Sequence, residues 1–151
     1  MTKKPRKRID IVSLKLVRES SILYPLRQVS SPKDAADLLQ QFVGDCDREK
    51  FTVLCLDTKN QPISLSVISV GSLNSTLVHP REVFKTALLC NSASIILAHN
   101  HPSGVPEASR EDVDVTKRLC EAGKILGIEV LDHIILGAEK RFCSIKEAGK
   151  M

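Results

Sequence analysis

Residues 93–99, ASIILAH, are apolar except for Ser94 and the closing His99. A strand this short with no polar face is stable only when both faces are covered, which places it inside a sheet. Helical signatures lie on either side of it. HPREVFKTALLC, residues 79–90, carries Pro80 at a helix start, and Ser109 opens a second helix. In that helix Val113, Thr116, Leu119, Cys120, Gly123 and Leu126 recur at helical spacing until Gly127 stops it. The spacing predicts helices packed over a central strand, and therefore an α/β sandwich of three layers.

The remaining segments fit that architecture. Ser31 caps PKDAADLLQQFV, with Pro32 at the first helical position and Leu38, Leu39 and Phe42 on one face. KFTVLCLDT, 50–58, reads as a strand, and TKNQP turns the chain into ISLSVISVG, 63–71. Strict alternation there places Ile63, Leu65, Val67 and Ser69 on one face and Ser64, Ser66, Ile68 and Val70 on the other. GIEVLDHIILG and RFCSI close the chain as strands. Residues 1–30 read as a basic arm, extended or in short strand pieces, and residues 31–151 as one domain.

Composition narrows the function classes. A chain of 151 residues with 42% hydrophobic side chains builds a core without disulfide or metal staples. Its five cysteines are odd in number and lack a CxxC pair, so reduced core thiols are expected and a thiolate metal site is not. No apolar run approaches a membrane span, and Asp10 and Lys15 interrupt any signal-peptide core, so the expected location is the cytoplasm. Five of the 22 positive charges are Lys3, Lys4, Arg6, Lys7 and Arg8; without residues 1–8 the rest carries 17 positive against 18 negative side chains. The arm is thus the place for a weak DNA contact through counterion release, or simply a solvated end. Aromatic residues at 3% and the lack of tryptophan leave no stacking platform for single strands.

The chemistry concentrates in LAHNHPSGVPEASREDVD, residues 97–114. His99 and His101 lie at i and i+2, and if the pleat of the strand persists they leave the same face. Loops beyond the ends of strands are where open α/β sheets bind ligands. Pro102, Ser103 and Gly104 turn the chain, and the next helix returns Asp112 in its first turn. Two imidazoles and one carboxylate make a three-ligand zinc site with a fourth position open for water. Ser109 and Asp112 also suit an ordinary helix start, as N-cap and as an acid favoured by the helix dipole. His133 reads as a buried, hydrogen-bonded strand histidine, with support behind a metal as the alternative. Glu82 reads as a first-turn acid, and His79 as a residue that packs or faces solvent.

The array H-x-H-x7-S-x2-D from His99 to Asp112 is similar to the JAB/MPN metalloprotease-like motif. VGSLNS at 70–75, VHPREVFKTAL at 78–88, AHNHPSG at 98–104, SREDVDVTKRL at 109–119 and LDHIILG at 131–137 resemble the RadC family within that group. The resemblance implies a cytidine-deaminase-like α/β sandwich with a mixed sheet. It also implies zinc on His99, His101 and Asp112, and Ser109 as a donor to the oxyanion of a hydrolytic intermediate. Members of this class carry a glutamate general base on a preceding strand, and the resemblance places it at Ser66, where this chain has none. The chain also lacks the helix-hairpin-helix region of full-length RadC proteins, which weakens any analogy to their DNA binding.

Two functions follow as expectations. One is a zinc-dependent hydrolase of peptide or isopeptide bonds in a protein or peptide substrate, with its general base missing at Ser66. The other is a non-catalytic binding module associated with DNA repair or mobile elements. A nucleobase deaminase needs HxE and PCxxC, and neither is present. Oligomeric state is not legible in the sequence.

Overall fold

The computed structural model describes residues 2–71 and 78–151. The segment VGSLNS lies outside them from Ser72 onward. Helix α1 (Pro32–Val43) is followed by strands β1 (Glu49–Leu56) and β2 (Pro62–Gly71), then α2 (Pro80–Leu89), β3 (Ser94–Asn100), α3 (Arg110–Leu126), β4 (Glu129–Leu136) and β5 (Phe142–Ser144). The five strands form one mixed sheet in the order β2-β1-β3-β4-β5, with β3 and β4 parallel and the other pairs antiparallel. All seven residues of β3 are buried, as an apolar central strand requires.

Each face of the sheet has its own core. Alternation along β1 sends Leu54 and Leu56 toward α1, where they meet Ala35, Leu38 and Leu39 together with Ile96, Ala98 and Ile134. Phe51, Val53 and Cys55 point the other way, into a cluster with Val83 and Phe84 of α2, Leu119 of α3, and Ile95 and Leu97. Three layers result. The helix ends form as their residues dictate: Ser31 Oγ accepts from the Asp34 N–H at 3.2 Å, and Gly127 closes α3 at φ 73°, a left-handed position that suits glycine.

Strict alternation fails in β2. The register slips between Phe51 and Thr52, which pair with Ser69 and Val67 and leave Ile68 as an extra residue. The bulge moves Ser69 onto the face shared by Ser64 and Ser66, a local break that residue pattern alone does not reveal. All five cysteines are free thiols. Residues 2–23 have neither helix nor strand, and Ile9, Ile11 and Leu14 are exposed there. Among the described residues no helix is long and apolar enough to cross a membrane.

Candidate metal centre

Sheet register assembles the site. Antiparallel pairing sets Phe51 of β1 opposite His99 of β3, so Glu49, two residues earlier and on the same face, comes level with His101. His101 stays aligned beyond the end of β3 because its N–H donates to the Leu136 carbonyl at 2.9 Å, continuing the pairing with β4. The pleat therefore persists, and both histidines leave one face.

The helix supplies the next group. At the start of α3, Ser109 Oγ accepts from the Asp112 N–H at 3.1 Å, while Asp112 Oδ2 accepts from the Ser109 N–H at 2.9 Å. This reciprocal cap pins the Asp112 carboxylate over the end of β3. Its Oδ1 lies 3.1 Å from His99 Nε2 and its Oδ2 3.3 Å from His101 Nε2. The two imidazole Nε2 atoms are themselves 2.9 Å apart.

Glu49 completes the cluster. It is 6% exposed, one of its carboxylate oxygens lies 3.6 Å from His99 Nε2, and Oε2 is buried with no hydrogen-bond partner. Glu49, His99, His101 and Asp112 each offer a ligand atom within 4.8 Å of the others, and all four are buried. Glu49 thus places a second buried carboxylate beside the two histidines. Ser66 lies outside the cluster, on β2 opposite Val53, with all of β1 between its strand and β3. Glu82 is also elsewhere, paired with Lys85 at 3.0 Å on the exposed side of α2, and His79 is the N-cap of that helix.

Neighbouring groups orient the ligand atoms. His101 Nδ1 meets the Val105 carbonyl at 2.9 Å, and a carbonyl only accepts, so Nδ1 carries the proton and neutral His101 turns a bare Nε2 inward. The loop that presents Val105 is tied down at Gly104, whose carbonyl accepts from the Ala138 N–H at 2.9 Å and from Arg141 Nη2 at 3.0 Å. His99 Nδ1 lies 2.7 Å from His133 Nε2, and His133 Nδ1 lies 2.5 Å from Thr116 Oγ1. Phe51 stacks on His99 with ring planes 13° apart and meets His133 edge-on, closing the apolar side.

The electrostatics are those of a site short of positive charge. Burial pushes the Glu49 carboxyl up, against a weaker pull from His99 and His101. Burial also pushes Asp112 up, but hydrogen bonds to His101 and His99 outweigh it and hold the carboxyl well below the usual range. When His101 is protonated its Nε2 donates to Asp112, which raises its pKa against the opposing effect of burial. Two imidazole Nε2 atoms and two carboxylates, one of them with an orphaned oxygen, converging in a buried space fit a divalent cation. Nitrogen and oxygen donors with no thiolate suit zinc among other transition metals.

The family model for the RadC-like JAB domain matches residues 29–150. The chain belongs to this family. Among curated proteins this RadC-like JAB domain is similar to a UPF0758 protein of Methanosarcina barkeri, 54% identical over 131 residues, 87% of this chain and 57% of the relative. A UPF0758 protein of Desulfitobacterium hafniense is 54% identical over 139 residues, 91% and 61% of the two chains. One of Methanococcoides burtonii is 51% identical over 148 residues, 96% and 64%. The RadC-like JAB domain here thus spans about three fifths of the length of the curated relatives it matches.

Proposed function

We propose that this RadC-like JAB domain is a zinc-dependent hydrolase of amide bonds, peptide or isopeptide, with His99, His101 and Asp112 as ligands and Glu49 as general base. The observation that carries the reading is the buried Glu49 carboxylate beside the three ligands, with one oxygen unpartnered. Zinc, when bound, supplies the Lewis acidity that activates water and polarises a carbonyl. The chain supplies the rest. Burial raises the proton affinity of Glu49, which suits a group that takes a proton from water and returns it to the departing nitrogen. Ser109 Oγ already accepts from the Asp112 N–H, so its own proton is free to be donated to an oxygen that gains negative charge. Two imidazoles and Asp112 leave a fourth coordination position open.

Glu49 also weighs against the non-catalytic alternative, whose main support was the missing base. The test is a peptidase and isopeptidase screen of the zinc-loaded protein, with Glu49→Gln beside it. Turnover in the parent and a fall of about 10² to 10⁴ in the variant, with zinc retained, is the expected result. Equal rates in both proteins would remove Glu49 from the chemistry.

A further inference from the structure

Behind the cluster runs a chain of three polar groups, the Asp112 carbonyl, Thr116 and His133, that ends on His99. Thr116 Oγ1 lies 2.7 Å from the Asp112 carbonyl, one helical turn earlier, and 2.5 Å from His133 Nδ1. Nε2 of the same ring lies 2.7 Å from His99 Nδ1. Thr116 and His133 are each 0% exposed, so water does not substitute for any of these partners. The whole row must be satisfied from within.

Counting protons fixes the direction of every bond. The Asp112 carbonyl has no proton to give, so the single hydroxyl proton of Thr116 goes to it. Toward His133 the threonine oxygen can then only accept, and His133 must carry its proton on Nδ1. His133 is fully buried, its ring meets Thr116, His99 and Phe51, and among the described residues no carboxylate pairs with it, so the ring is neutral. Its Nε2 is therefore an acceptor, and the His99 ring is the donor from Nδ1. In a neutral His99 ring that is the one proton, so the Nε2 that faces Glu49, His101 and Asp112 is bare.

We propose that His133, held in one tautomer by Thr116, is a positioning residue for His99: it accepts the Nδ1 proton and so turns a bare Nε2 toward the cluster. The strand register makes this possible, because β4 runs parallel to β3 with His133 opposite Leu97, on the face from which His99 also projects. The Asp112 backbone anchors the same chain whose far end orients His99. One residue thus contributes its carboxylate to the site from the front and its carbonyl from behind. The role in metal binding rests on the function proposed above; the tautomer does not.

The experiment has two arms. Long-range proton–nitrogen correlation spectra of the metal-free, ¹⁵N-labelled protein at pH 8 report which nitrogen of each imidazole is protonated. His133 is expected with Nδ1 protonated and Nε2 bare, and a Thr116→Val variant is expected to lose that fixed state; a parent spectrum with His133 protonated on Nε2 would overturn the inference. In the second arm, zinc is titrated against a chromophoric chelator. Thr116→Val, nearly isosteric and not itself a ligand, is expected to weaken zinc binding about 10- to 100-fold, with Thr116→Ser close to the parent. Parent-like zinc affinity in a folded Thr116→Val also counts against it. Failure of the parent to bind zinc would instead overturn the proposed function, with the tautomer result standing by itself.

Discussion

The Asn100 side chain brackets Glu49: its Oδ1 accepts from the Lys50 N–H at 2.7 Å, and its Nδ2 donates to the Arg48 carbonyl at 2.9 Å. The backbone ladder between β1 and β3 ends at Phe51 and His99, so the amide of Asn100 continues it by one step. Asn100→Ala is expected to free the start of β1, costing about 0.5–1.5 kcal/mol per lost part-buried hydrogen bond and loosening Glu49. Chemical denaturation reads the first effect. The second appears as a loss of turnover larger than any loss of zinc affinity.

The loop that carries Val105 is similarly exposed to one substitution. A Cβ on Gly137 meets the Gly104 carbonyl oxygen at 2.5 Å and Pro106 Cδ at 2.8 Å. Gly137→Ala must therefore displace the loop, at about 1–3 kcal/mol for an overpacked contact. Because that loop holds the acceptor of His101 Nδ1, zinc affinity is expected to fall along with stability. Denaturation midpoints and zinc titration on the same preparation check both.

In the metal-free protein the two perturbed histidines act in different pH windows. His133 has a depressed pKa, from burial above all, so its contribution is fully present above the unfolded value of about 6.5. It is lost as pH falls, because the unfolded chain takes a proton that the folded one refuses, at up to about 1.4 kcal/mol per pH unit. His101 has a raised pKa, led by its bond to Asp112, so its contribution is present below about 6.5 and lost as pH rises through the folded value. Urea denaturation with chelator present should show these two contributions meeting in a maximum near pH 6.5, and His133→Gln should flatten the acid side.

Much of this was legible in the residues. The apolar run of β3, the Ser109 and Gly127 ends of α3 and the return of Asp112 after His99 and His101 are local signals, and the structure places each where its local chemistry puts it. Glu49 was not legible, because it stands in REKF, a charged stretch that reads as solvent-facing. Only the antiparallel register with β3 buries it, and counting back two residues from Phe51 along the strand is the one local sign of its face. The family resemblance pointed instead to β2, to a serine on the far side of β1. His133 was readable as a buried strand histidine, but its partner lies on a parallel neighbour reached through a whole helix, and no local pattern encodes that pairing.

The proposed function requires four buried side chains to form one metal centre in which three bind and the fourth does chemistry. Elemental analysis of purified protein, after zinc loading and desalting, tests it most directly. The parent and Glu49→Gln should each retain about one zinc per chain, and His101→Ala and Asp112→Ala should retain far less, as a three-ligand site requires. Equal zinc in all four proteins, or none in the parent, would contradict the assignment.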